Sequence, residues 1–317
     1  MRSTVSSRLM DIIRTIANQQ LQASSLVTKT ISLALISIAL RLPNGTIAHT
    51  REALSIGSMG TPSAIYVALA MVQQMPDQLD KADISKQRRN ELCAEIKSLL
   101  PSILQLCSHA LTGGGPGGLI EMHGESALET IASWIKGTGL ALSVFATSSE
   151  QGGALFGQML QLLTGQNVPM AAAAAKALNS ALIRAEEDSE GRNAAINALC
   201  DALLATQPLL AATADSITSG RDIDRAQSTT HAIACLFIIF ASRELPRLIG
   251  LNSASDRNIK FMELFMNLSA HPYRRITLLT QASCVPIHLL ISAFRVSYFL
   301  HLIFLSRIFG LRYQITD

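Results

Sequence analysis

Charge is scarce in this sequence and aromatic residues are scarcer. Asp, Glu, Lys and Arg make up 15% of its 317 residues, Phe, Trp and Tyr 5%, and there is a single tryptophan. Neither sign of charge dominates, with 26 Lys and Arg against 23 Asp and Glu and a net +3. Proteins that live on nucleic acid concentrate basic residues on one face. The nearest bias here is the final segment, where Arg274, Arg275, Arg295, Arg307 and Arg312 meet one acid, Asp317. Direct contact with nucleic acid is therefore not expected.

Cysteine usage excludes a disulfide framework. The five cysteines, Cys93, Cys107, Cys200, Cys235 and Cys284, are odd in number and widely spaced, in apolar stretches such as AINALCDALL and HAIACLFIIF. They read as reduced core residues of a cytosolic or nuclear protein. The first twenty residues hold Arg2, Arg8 and Arg14 against one acid, a weak likeness to a transit peptide. Their Leu9, Ile12, Ile13 and Ile16 also make an ordinary amphipathic face.

Catalytic signatures are missing as well. The histidines at 49, 109, 123, 231, 271, 288 and 301 form no His-Glu-x-x-His pair and no close Cys/His set, so no metal site is expected. No serine lies in a Gly-x-Ser-x-Gly elbow. The glycine run LTGGGPGGLIEMHGE, 111 to 125, lacks the lysine and hydroxyl residue of a phosphate loop and follows a helix rather than a strand, so it reads as an inter-helix loop. An enzyme is not expected, nor a cofactor.

What the sequence does hold is apolar helix. Hydrophobic residues make up 49%, and strand-like alternation never lasts. Helical periodicity is predicted over 5–22, 25–41, 62–74, 86–111, 125–135, 151–164, 169–185, 190–206, 222–244, 256–269 and 272–285. Pro43-Asn44-Gly45 stops one helix, Pro62 and Pro169 sit at first turns, and Gly165 and Gly250 follow apolar runs. Successive starts lie about 20 to 25 residues apart, so a pair takes about 40 to 47, the period of HEAT and armadillo units. The expected fold is all-α, an α-solenoid of antiparallel helix pairs over 1–280, stacked into a superhelix with a curved inner surface.

LVTKTISLALISIALRLPNG, 26 to 45, tests that expectation against a membrane. A span needs about 20 predominantly apolar residues, and the uncharged stretch between Lys29 and Arg41 is much shorter. Apolar residues cover most of its sides, as in a helix held between neighbours. The tail over 281–317 is a separate, atypical apolar segment. Two readings stand for it: an aberrant gene end, or a marginal membrane span over 287–309 interrupted by Arg295.

One charge cluster stands out. In RAEEDSEGR, Glu186, Glu187, Asp188 and Glu190 lie between two predicted helices. They form either a solvated turn that complements the next helix's positive end, or a docking point for basic segments of a partner.

Four stretches together resemble the importin-beta superfamily of nuclear transport receptors, in the transportin-SR and importin-thirteen branch. LVTKTISLALISIALRLPNG is similar to an early family helix, ALETIASWIKGTGLA to a short segment with a Gly/Ser-Trp pair, here Ser133-Trp134, and AAAKALNSALIRAEE to a following helix. DRNIKFMELFMNLSAHPYRRITLLT resembles a helix, His-Pro loop and next helix. The likeness covers about 15 to 280 and looks like an internal piece of a receptor; the tail departs from it. The resemblance implies a binding protein of cytoplasm and nucleus. Its partners would be protein cargo, including proteins with arginine-serine-rich segments, the GTPase Ran and nuclear pore proteins. The competing expectation is a HEAT-repeat scaffold or regulatory subunit without a transport role.

Overall fold

A computed structural model describes residues 2–19, 24–112, 118–147, 150–184, 189–251, 256–268, 270–278 and 280. All regular structure among them is helical, so the all-α expectation holds. The helices are α1 (Arg2–Ala17), α2 (Ser25–Ala39), α3 (Gly45–Gly57), α4 (Pro62–Gln73), α5 (Met75–Lys81), α6 (Lys86–Thr112) and α7 (Leu119–Thr138). They continue with α8 (Leu142–Thr147), α9 (Glu150–Thr164), α10 (Val168–Leu182), α11 (Glu190–Ala205), α12 (Gln207–Ser219), α13 (Ile223–Leu251) and α14 (Asp256–Leu268). The tail over 281–317 lies outside the described residues.

Local chemistry sets the helix starts. Ser24, Thr61, Asn167 and Ser189 accept hydrogen bonds from backbone N–H groups three residues on, answering donors that a first turn leaves free. Pro62 and Pro169 occupy first turns, where the missing N–H costs nothing. Between α2 and α3 the chain turns sharply through Asn44, at φ 53. A Cβ on Gly45 would lie 2.2 Å from the Ala39 carbonyl oxygen, so this turn requires glycine.

The turn at 43–45 stops α2 as expected, but a helix missed by the periodicity, α3, begins there at once. The further helices α5, α8 and α12 were also unforeseen. α7 starts earlier than the predicted 125 and α13 continues past the predicted 244.

Helix α4 packs on α7, α7 on α10 and α10 on α13. Contacts at both ends show that these four run parallel. At their N-terminal ends, the Tyr66 and His123 rings are 6.1 Å apart, a Cβ on Gly124 would lie 2.4 Å from Met170 Cε, and Thr229 Oγ1 donates to the Val168 carbonyl at 3.1 Å. At their C-terminal ends, Trp134 Nε1 donates to the Val72 carbonyl at 2.9 Å. Arg184 and Arg243 there donate to the carbonyls of Lys136 and Leu182, each at 3.2 Å. Tyr66 Oη also donates to the Ser25 carbonyl at 3.4 Å, bringing the start of α2 to the same edge.

A second set of helices covers this row. α3 lies on α4 and α6, α6 on α7 and α9, and α9 on α10 and α11. The starts of the parallel helices, Pro62, Leu119, Val168 and Ile223, are separated by more chain than a HEAT pair takes. The reason is visible in the contacts: three helices, not two, are spent per step along the row.

The apolar side chains merge into one core reaching from Ile13 to Ile276. α10 sits at its centre, and Ala171 to Ala175, Ala177 and Ala181 are all buried. Alanine keeps helix propensity high while leaving room for α7, α9 and α13 to approach from three sides.

Among the described residues one helical stretch, Glu190–Ser219, is long and apolar enough to cross a membrane, and half of it is buried against the rest of the protein. Ser25–Ala39 is apolar but shorter.

Candidate partner-contact site

In sequence, the acidic segment falls between the end of α10 and the start of α11. Of its four carboxylates, Glu190 is exposed in the first turn of α11; Glu186, Glu187 and Asp188 lie outside the described residues. Ser189 Oγ accepts from Arg192 N at 3.1 Å and fixes where the helix begins. A carboxylate at Glu190 then faces the positive end of the α11 dipole, a favourable placement whether or not a partner is bound.

The anchors of the segment come from neighbouring helices. On its N-terminal side, Arg184 is tied to the Lys136 carbonyl at the end of α7. On its C-terminal side, Arg192 forms an ion pair with Glu244 of α13, whose side chain is 2% exposed. Arg243 beside it ties α13 back to Leu182 at the end of α10. The described flanks of the segment are therefore tied to neighbouring helices, Arg184 to α7 and Arg192 to α13. The sequence marked the four acids as a cluster, but Arg243 and Glu244, about 50 residues downstream, could be found only through the packing of α13 on α10.

Elsewhere the ionic groups serve the fold. Arg89 donates to the carbonyls of Leu79, Asp80 and Ala82 and so closes the end of α5. Arg88 bridges Glu91 and Glu95 and reaches the Leu42 carbonyl, while Glu95 accepts from Thr46 of α3. His49 Nε2 meets the Met71 carbonyl at 2.7 Å inside the α3–α4 contact, and burial holds its imidazole below the ordinary pKa. Cys93, Cys107, Cys200 and Cys235 are free thiols, Cys107 and Cys200 fully covered. Burial pushes the Cys200 thiol up to about 11 and Cys107 higher still. Among the described residues no group of three His, Cys, Asp or Glu side chains converges to hold a metal ion.

In comparison with known proteins, no family model and no curated protein sequence matches the chain.

Proposed function

We propose that this chain is the helical-array portion of a nuclear transport receptor of the importin-beta superfamily, a solenoid that binds protein cargo and Ran and passes between cytoplasm and nucleus. It acts by differential binding and has no catalytic role: cargo held in the cytoplasm is released when the GTP form of Ran binds. The observation that carries this reading is the run of family-like stretches in family order, with Trp134 of the Ser133-Trp134 pair in the centre of the packing. The parallel row α4, α7, α10, α13 supports the solenoid, because stacked units present equivalent helices side by side in one sense. Contact with nuclear pore proteins belongs to the same proposal.

The acidic segment is the proposed contact for basic parts of cargo, through Glu186, Glu187, Asp188 and Glu190. Exposed carboxylates of one sign steer cationic partners and add on-rate and specificity more than affinity.

Capture on Ran loaded with GTP or GDP tests the receptor reading. Retention on the GTP form alone supports it, whereas equal retention on both forms favours a scaffold. Neutralising the four acids together should slow association with an arginine-serine-rich peptide; unchanged association would remove the segment from the site.

A further inference from the structure

Helix α2 opens the parallel row. At its start, Tyr66 of α4 holds the Ser25 carbonyl. Beyond its end, Arg88 binds the Leu42 carbonyl while the adjacent Arg89 binds the end of α5, the helix that follows α4 in the chain. The two helices therefore run in the same sense. α1 and α3 each pack on both of them, so they lie along the seams of the pair. Helices α4, α7 and α10 have a parallel neighbour on either side, whereas among the described residues α2 has one only on the side of α4.

Thr28, Ser32, Leu35, Ile36 and Ala39 form the inward face of α2, and all are buried. At about 3.6 residues per turn, the opposite face carries Leu26, Thr30, Leu33, Ala34, Ser37 and Ile38. Leu26 is 73% exposed. Leu33, Ala34 and Ile38 are half-buried and belong neither to the core nor to the side chains packed on it. This face is uncharged, but Lys29 and Arg41 stand exposed at its two ends. They are twelve positions apart, which is about 18 Å along the axis. Arg41 rests one nitrogen on the Ser37 carbonyl at 2.7 Å. Neither cation meets a carboxylate among the described residues. No acid occurs between Asp11 and Glu52 in the sequence, and Arg14 takes both of those.

This pattern discriminates between covers. Two copies of α2 laid antiparallel about Leu35 put Lys29 of one against Arg41 of the other, and parallel copies stack each cation on itself, so like meets like. A lipid surface calls for bulky side chains across the inserted face, whereas the middle of this one holds Thr30, Ala34 and Ser37. Short side chains there make a shelf for the ridge of a further helix.

We propose that the outward face of α2 docks an amphipathic helix of a partner protein, with an apolar stripe against Leu26, Leu33 and Ile38 and carboxylates that reach Lys29 and Arg41. The carboxylates supply the charge that the two cations lack, and the docked helix extends the row by one rod. The site is separate from the acidic segment and does not depend on the transport reading.

The test titrates a labelled synthetic peptide with the full chain, followed by fluorescence anisotropy. The probe is a helical peptide of about 20 residues with leucines at i, i+3, i+4 and i+7 and glutamates about 18 Å apart at the ends of that stripe. A second probe carries lysines in place of the glutamates. Saturable binding of the acidic probe is expected, roughly tenfold tighter than that of the basic one. The Lys29→Glu, Arg41→Glu double variant, changed only at exposed positions, should invert the preference. Leu26→Gln with Leu33→Gln should weaken the acidic probe roughly tenfold, while Ile183→Gln, at an exposed apolar position past α10, should leave it unmoved. Equal affinity for both probes, no saturation, or no inversion would overturn the site. Dimerisation of the free chain that the leucine variant abolishes would assign the face to a second copy instead. Binding to phosphatidylserine vesicles that is lost in the same variant would assign it to lipid.

Discussion

The step from α4 to α7 and the step from α10 to α13 do the same structural task with different chemistry. In both, a side chain from the later helix reaches back to a carbonyl in the last turn of the earlier one, where helices leave oxygens without intrahelical donors. At the first step the donor is the indole of Trp134, fully buried against Val72. At the second it is the exposed guanidinium of Arg243, on Leu182. The step between them, α7 to α10, uses Arg184. The spatial relation recurs while the residue type does not, which is how helices can be stacked regularly without any repeat in the sequence.

The two steps should therefore respond differently to mutation. Trp134→Ala removes a large buried side chain together with its hydrogen bond and should cost ~3–5 kcal/mol in urea unfolding. Trp134→Phe keeps most of the packing and should cost about 1–2 kcal/mol, because the Val72 carbonyl retains the Gln74 N–H. A loss close to that of alanine would mean that the indole hydrogen bond, not burial, holds the step.

Gly124→Ala examines the opposite edge of the same row. The new methyl would meet Met170 Cε at 2.4 Å, so α7 and α10 must separate or the methionine must move. A loss of about 1–3 kcal/mol is expected. No loss would show that the flexible methionine simply yields.

His49 offers a pH test of the α3–α4 contact. Its pKa is lower in the fold than the ordinary 6.5, so the unfolded chain takes up the proton first. Stability from this group is complete above the unfolded value and is lost as pH falls from there toward the depressed folded value, by no more than about 1.4 kcal/mol per pH unit. His49→Gln should shrink the difference between unfolding midpoints at pH 7.5 and 5.5; an unchanged difference would place the acid sensitivity in other groups. The smallest effect is expected at Arg243→Ala. Its charge is exposed and water can replace it on the carbonyl, so a loss of about 0.5–1 kcal/mol is anticipated in the same unfolding measurement.

Large apolar residues at helical spacing made most of the fold legible. α2, α4, α6, α9 and α10 were anticipated within a few residues because Leu, Ile and Ala mark their buried faces. α3 was not, since its inward positions are Thr46, His49, Thr50 and Gly57 alongside only Ala53 and Ile56. Such a face carries little hydropathy contrast, and tertiary packing, not periodicity, makes it helical. α12 was lost similarly, burying only Leu209, Leu210 and Thr213.

The acidic segment was legible as charge. Its anchors were not, because Arg184 meets the Lys136 carbonyl, and Arg192 meets Glu244, only once the helices have packed.

Because the ends of α4, α7 and α10 are each met by a donor that comes later in the chain, the molecule has a direction in time as well as in space. The carbonyls of Val72, Lys136 and Leu182 wait for side-chain donors 62, 48 and 61 residues further on, which at about 5–20 residues per second is several seconds. During synthesis the growing end is thus always the least secured, and a chaperone that favours exposed helix ends would meet it there.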